Sequence, residues 1–319
     1  MNHEAPGVIH ARGLVKTYGK GEGQVTALNG VDLTIEAGTV FGLLGANGSG
    51  KTTLNRILTT LAAPTAGQAL VFGADVVTEA ARVRAMIGVI GQRTSLDDRL
   101  SGRENLNVLG RLYGLSGADA RESADELLEQ YGLIDAADRP VATYSGGMRR
   151  RLDIVSSLIR RPALLFLDEP TTGLDPRSRS EIWATVRQLA QDGTSVFLTT
   201  QYLDEADQLA DRVAVLAAGQ IIADGTPRDL KARIGQRLTV QLTRESDRRN
   251  AIDVLTALGV SGLVEQQREA ALTGRVETGS IALPPLLNAL TDSDVEVLDI
   301  GLSDPTLDEA YLALTKEYA

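Results

Sequence analysis

The chain has 319 residues, enough for one large domain and a small second one. Its 43% hydrophobic and 23% charged residues suit a globular protein, and with no cysteine it excludes disulfides, thiolate catalysis and cysteine-ligated zinc. A formal charge of −10 argues against broad nucleic-acid binding, which needs clustered Lys and Arg.

The first residues, Met1 to Pro6, lack the charged-then-apolar layout of a secretion signal. Segments 8–14 and 25–35 read as short strands, with turns at Gly19, Gly21 and Gly23. Residues 39–44 form a buried strand that runs into Gly45-Ala46-Asn47-Gly48-Ser49-Gly50-Lys51-Thr52-Thr53. Over 52–61, Leu54, Ile57, Leu58 and Leu61 recur at helical spacing. An apolar segment, 83–90, ends at Gly91-Gln92, and the pattern is helical over 102–130. Short continuous apolar runs at 164–167 and 195–199 predict buried parallel strands, with a helix at 181–190 between them. Segments 213–216 and 220–223 predict a hairpin around Ala218-Gly219, and no apolar run, 213–218 included, approaches the roughly 20 residues that cross a bilayer. A transport role would therefore need other polypeptides to form the path.

The pattern restarts beyond 225–235. Leu238, Val240 and Leu242 alternate as in a strand, and 251–258 reads as a helix. Leu283, Leu286, Leu287 and Leu290 share a helical face, with Pro284 and Pro285 tolerable only in its first turn. A strand at 295–300 and a helix at 306–316 complete a small α+β domain.

Three sites carry chemistry. The glycines of 45–50 let backbone N–H groups turn around phosphate oxygens, and the helix that follows points its positive end at them. Lys51 is expected to reach the β- and γ-phosphates, and Thr52 to ligate Mg²⁺. Asp168 and Glu169 follow an apolar strand at its C-terminal end, where open α/β sheets bind ligands. Asp168 is expected to hold magnesium, directly or through water, and Glu169 to orient or deprotonate the attacking water. Ser145, Gly146 and Gly147 open a helix bearing Leu152, Val155 and Ile159. Ser145 suits a cap, and the same turn suits an anion. One nucleotide cannot easily touch both glycine turns of one compact domain, so this turn is read as serving a nucleotide held by another copy. Arg149, Arg150 and Arg151 are expected on a solvated or interdomain face.

In that order, 45–53, Gln92, 144–148, 164–170 and Gly173-Leu174-Asp175-Pro176 resemble the ATPase subunits of ATP-binding cassette transporters, over roughly residues 8–231. The resemblance implies an α/β fold: a P-loop NTPase core with an antiparallel β subdomain and a helical subdomain (about 92–160) within 1–231, plus a small α+β domain at 237–319. It implies an ATPase using ATP and Mg²⁺, in which two copies sandwich two nucleotides. Ser145 and Gly147 would then meet the γ-phosphate across the dimer, Asp175 the dimer seam, and Gln92 magnesium or the attacking water. Tyr18 would stack on adenine, against the alternative of an ordinary hairpin aromatic. The helical subdomain would dock on a separate membrane permease, placing the chain at the cytoplasmic face of the membrane, with no nucleic acid as partner.

The family usually carries a histidine where Gln201 follows the strand at 195–199. Glutamine can donate to a phosphate oxygen but gains no proton near neutral pH, so Gln201 is expected to position phosphate and water while Glu169 is the base. Residues 201–207 and 307–315 resemble the daunorubicin-resistance type of exporter ATPase, which implies efflux of a drug-like or lipophilic compound. The terminal helix is equally readable as a stabilising cap. The competing reading is a soluble cassette ATPase acting on ribosomes or DNA, whose relatives carry a second cassette, zinc cysteines or coiled-coil insertions not found here.

Overall fold

A computed structural model describes residues 7–91, 94–266, 270–277 and 282–316. Gln92 lies outside the described residues. The chain divides into two compact units, the first ending at Asp224 and the second beginning at Gly225.

In chain order the first unit runs β1 (Ile9–Tyr18), β2 (Val25–Ile35), β3 (Val40–Leu44), α1 (Lys51–Leu58), β4 (Ala66–Val71), β5 (Ala74–Asp75), α2 (Ala80–Met86) and β6 (Ile87–Ile90). It continues through α3 (Gly102–Leu112), α4 (Gly117–Gln130), α5 (Gly146–Ser156), β7 (Leu164–Asp168), α6 (Pro176–Gln191), β8 (Ser195–Thr200), α7 (Leu203–Leu209), β9 (Arg212–Ala217) and β10 (Gln220–Gly225). An antiparallel sheet has the order β2-β1-β4-β5, and a second sheet the order β10-β9-β3-β8-β7-β6. In the second sheet β3, β6, β7, β8 and β9 pair in parallel.

Both faces of the parallel sheet are covered, which is why its strands read as unbroken apolar runs. Successive residues alternate between two cores. Leu165, Leu167, Val196 and Leu198 join the core shared with α3, α4, α5 and α6. Leu164, Phe166, Phe197, Phe41 and Leu43 join the core shared with α1 and the antiparallel sheet. Phe197 sits between the other two rings, with centroids 5.9 Å from Phe41 and 5.2 Å from Phe166. Removing one such buried ring costs about 3–5 kcal/mol.

The helical stretch over 102–130 is interrupted. A capping box of Ser101 and Glu104 starts α3, Gly114 at φ +90° turns the chain, and Ser116 caps α4. Helix α1 ends earlier than its periodicity suggests: Leu61 lies beyond it and is 63% exposed. The β4–β5 hairpin and the division of 83–90 between α2 and β6 were not read from the sequence, because these elements are too short to show a period.

The second unit comprises α8 (Pro227–Ala232), β11 (Gln236–Leu242), α9 (Arg248–Ala257), β12 (Ser261–Gln266), β13 (Ala271–Val276), α10 (Leu283–Asp292), β14 (Val297–Ser303) and α11 (Leu307–Thr315). Its antiparallel sheet has the order β12-β13-β11-β14. Leu238, Val240 and Leu242 meet Leu255, Leu286 and Leu290 of α9 and α10 in one core. Pro284 and Pro285 fall in the first turn of α10, where an absent N–H costs nothing. β12 and β13 were not read from the sequence. No described helix is long and apolar enough to cross a membrane.

Candidate functional site

The phosphate loop links the end of β3 to α1. Gly50 is the N-cap of α1 at φ +112° and supplies no side-chain cap, so the first N–H groups of the helix stay free for an anion. Gly48 has φ +81°, a left-handed conformation that glycine adopts at little cost. Gly45 admits no side chain at all: a Cβ there would lie 2.5 Å from both the Leu216 carbonyl oxygen and Ser49 Oγ. Ser49 Oγ is buried and has no hydrogen-bond partner among the described residues.

The hairpin turn between β9 and β10 supports the loop from below. Gly219 N–H donates to the Ser49 carbonyl (3.1 Å), and the Gly219 carbonyl accepts from Asn29 N–H (2.8 Å). Gly219 has φ +77°, and a Cβ on it would meet the Ala27 carbonyl oxygen at 2.9 Å. The hairpin was expected from the sequence; its role as the bridge between β2 and the phosphate loop was not.

Lys51 is 5% exposed. Its Nζ donates to the carbonyls of Gly45 (2.6 Å) and Ala46 (3.1 Å), and Glu169 Oε1 lies 3.9 Å away. Burial draws its pKa below the usual lysine value, while the Glu169 and Asp168 carboxylates oppose that shift.

Asp168 ends β7 and is buried, with Oδ1 accepting from Thr199 Oγ1 on β8 at 2.5 Å. Glu169, the next residue, has φ +47°, a conformation that an L side chain adopts only under constraint. Its N–H donates to the Thr199 carbonyl at 3.0 Å, so Thr199 holds both acidic residues. The sequence reading missed Thr199, because it is indistinguishable there from the other strand residues.

One cavity of about 400 Å³ brings the phosphate side together. Asn47, Gly48, Gly50, Lys51, Thr52, Thr53, Glu169 and Gln201 line it, together with Ala27 from β2. Gly45, Ala46 and Ser49 belong to the same loop but are not among the lining residues. Asp168 stands beside Glu169 but is not among the lining residues, and neither is Tyr18. Tyr18 is 40% exposed at the end of β1, with Lys16 Nζ 5.1 Å from its ring centre.

Ser145, Gly146 and Gly147 do not reach this cavity. Ser145 caps α5 by accepting from Met148 N–H (3.2 Å), and both Ser145 and Gly146 are exposed. Gly147 is buried: a Cβ there would fall 2.7 Å from Ser178 Oγ and 2.9 Å from Ser178 Cβ, so α5 and α6 touch at this point. Gly146 lines a second cavity of about 450 Å³, which shares only Glu169 with the first. Asp175 caps α6 and is exposed; it accepts from Ser178 N–H and Oγ, which hold its carboxyl below the usual aspartate value.

Two of the three arginines behind the turn depart from the solvated face expected of them. Arg150 is buried against main-chain carbonyls rather than solvated, with 11% of its side chain exposed. Arg151 is largely buried against Glu181, 2.6 Å away. Only Arg149, facing Asp98 at 3.4 Å, keeps a third of its side chain in solvent. On α7, Glu205 is fully buried and accepts from Thr171 Oγ1 (2.8 Å) and Trp183 Nε1 (3.4 Å), and burial pushes its pKa up.

Comparison with known proteins adds four findings. The ABC transporter family model matches residues 28–172. The daunorubicin resistance ATP-binding protein DrrA3 of Streptomyces coeruleorubidus is 50% identical over 311 residues, covering 96% of this chain and 95% of that protein. The daunorubicin/doxorubicin resistance ATP-binding protein DrrA of Streptomyces peucetius is 48% identical over 317 residues, covering 99% and 94%. Among solved structures, a dimeric ATP-binding cassette in a post-hydrolysis state bound to ADP and Pi aligns with a TM-score of 0.61 at 27% identity, over 68% of this chain and 98% of that one.

Proposed function

The chain belongs to the ABC transporter family as a protein that binds and hydrolyses ATP, and from that premise we propose how its residues do so and what the reaction drives. The observation that carries the mechanism is the single cavity lined by Lys51, Thr52, Glu169 and Gln201 beside the uncapped start of α1. Phosphate oxygens of ATP occupy the glycine cradle, where backbone N–H groups and the positive end of α1 face them. Lys51 Nζ then gives up the Gly45 and Ala46 carbonyls for the β- and γ-phosphates. Ser49 Oγ, without a partner among the described residues, gains an acceptor.

In the hydrolytic step a water oxygen bonds to the γ-phosphorus as the bond from that phosphorus to the bridging oxygen breaks, and ADP leaves with that electron pair. Glu169 orients this water and receives its proton. Gln201, which lines the same cavity, donates an amide N–H to phosphate without taking up a proton. Magnesium fits the donor set: the Thr52 hydroxyl and Asp168 carboxylate are hard oxygens, joined by Gln92 on the sequence reading. When bound it supplies charge neutralisation at the phosphates.

The signature turn, residues 145–147, is complete as a cap and lines no part of the cavity at its own phosphate loop. It therefore serves the ATP of a second copy, with Ser145 and Gly147 near that γ-phosphate and Asp175 at the seam. Tyr18, exposed at the end of β1, stacks on adenine. Dimer closure and reopening drive efflux of a drug-like or lipophilic compound through a separate permease, to which the chain binds peripherally at the cytoplasmic face. Near-full-length similarity to two resistance ATP-binding proteins supports this over action on ribosomes or DNA. Mild purification from membranes tests it: a hydrophobic membrane protein should co-purify, and recovery of ribosomal proteins instead would favour the soluble alternative.

A further inference from the structure

Helix α5 carries an ion pair that neither the phosphate loop nor the signature turn uses. Arg150 Nη1 and Asp153 Oδ2 lie 3.2 Å apart, with 11% and 3% of their side chains exposed. Four donor contacts occupy the guanidinium. Nε donates to the Pro170 carbonyl (2.9 Å), Nη2 to the Asp168 carbonyl (3.3 Å), and Nη1 to the Gly91 carbonyl (2.8 Å) and Asp153. Asp153 Oδ1 accepts from Thr94 Oγ1 (3.2 Å), Ser95 N–H (3.3 Å) and Ser95 Oγ (3.4 Å).

These contacts have a pattern. Asp168 and Pro170 are the residues immediately before and after Glu169. Gly91 lies on one side of residues 92–93, and Thr94 and Ser95 on the other. One pair on the signature helix therefore grips the backbone on both sides of Glu169 and also both described ends of the segment that contains Gln92. Glu169 has φ +47°, which persists only where its surroundings impose it. Arg150, through the carbonyls of Asp168 and Pro170, and Thr199, through the Glu169 N–H, both supply that restraint.

We propose that Arg150 and Asp153 are positioning residues for hydrolysis: they fix the Glu169 carboxylate relative to the attacking water and make it move together with the signature helix and with Gly91, Thr94 and Ser95. The pair is an inefficient way to gain stability alone. Burial is the foremost influence on both groups, lowering Arg150 and raising Asp153 from their usual pKa values. Buried ion pairs often equal well-packed apolar residues in stability, and here the fork geometry of arginine is used on three carbonyls in two segments. A lysine could neutralise Asp153 but could not span those acceptors.

The inference rests on Glu169 acting as the base in the proposed mechanism. The test uses the full chain and measures melting temperature, ATP affinity, and kcat and KM for ATP. The double variant R150M/D153L replaces the pair by apolar side chains. It should melt near the parent and bind ATP within about threefold of it, while kcat falls by about 10- to 100-fold, the penalty expected from small misplacement of a reacting group. Arg150→Lys should lower kcat by about tenfold with KM unchanged, and it decides the matter if the double variant does not fold. Parental kcat in the folded double variant, or in Arg150→Lys should the double variant not fold, would overturn the proposal, as would a loss shared equally by affinity and kcat. Glu169→Gln in the same assay separates the two ideas. If it abolishes turnover while R150M/D153L does not, only the positioning role fails; if it leaves turnover intact, the base assignment fails first.

Discussion

The phosphate loop and the signature turn are both glycine turns that open a helix, yet their glycines answer different needs. In the phosphate loop Gly48 and Gly50 adopt left-handed backbone, the helix start is uncapped, and the Ser49 hydroxyl lacks a partner. That turn keeps its donors for a ligand. In the signature turn Ser145 already caps α5, Gly147 is small so that Ser178 can approach, and Arg150 anchors the helix one turn on. That turn is locally satisfied. The difference teaches that a helix start can be built either with its donors left open or with them satisfied locally, and the residues around it decide which.

The strongest way to break the contrast is through chemistry at the shared residue, since Glu169 lines both cavities. Glu169→Gln should lower kcat by about 10²- to 10⁴-fold and trap an ATP-bound dimer, seen as a doubled mass in size-exclusion light scattering. Next comes Gln201→Ala. Loss of one hydrogen bond to a charged phosphate, about 1.5–3 kcal/mol, should slow turnover roughly 10- to 100-fold, whereas Gln201→His should retain it; full activity of the Ala variant would remove Gln201 from the mechanism.

A packing test follows. Gly147→Ala should destabilise the chain by about 1–3 kcal/mol in denaturant unfolding, and Ser178→Gly in the same chain should recover most of the loss. If Gly147→Ala alone is neutral, α5 and α6 do not touch as described. Paired serine substitutions sharpen the contrast further. Ser145→Ala should cost about 1 kcal/mol as a lost cap. Ser49→Ala should leave the free chain unchanged or up to about 1 kcal/mol more stable, since it removes an unpartnered hydroxyl, while weakening ATP binding in calorimetry.

The smallest effect concerns pH. Burial raises the pKa of Glu205 above that of an unfolded chain, so the folded state holds its proton more tightly. Its contribution is fully present below the ordinary glutamate value and is lost as pH rises through the raised folded value. Glu205→Gln should therefore match the parent at acid pH and gain relative stability towards neutral pH, read from melting temperatures across that range; a constant difference would assign Glu205 a purely steric role.

Features carried by neighbouring residues were legible in the sequence. Helix starts at Ser145 and Thr306, the strand before the phosphate loop, and the prolines in the first turn of α10 follow from local preferences and apolar periodicity, whereas the helix expected at 181–190 begins earlier, at Pro176 behind the Asp175 cap. The loop of 45–53 and the acidic pair 168–169 are contiguous motifs whose chemistry needs no distant partner to be recognised. Only the tertiary structure could remove Arg150 from a solvated face, because its burial depends on carbonyl acceptors at residues 91, 168 and 170. The same holds for Thr199 beneath Asp168, for Gly219 beneath Ser49, and for Gly147 against Ser178. A side chain's residue type sets what it can bond, but whether it meets water or a buried partner is decided by chain segments far away in sequence, and no local pattern encodes that encounter.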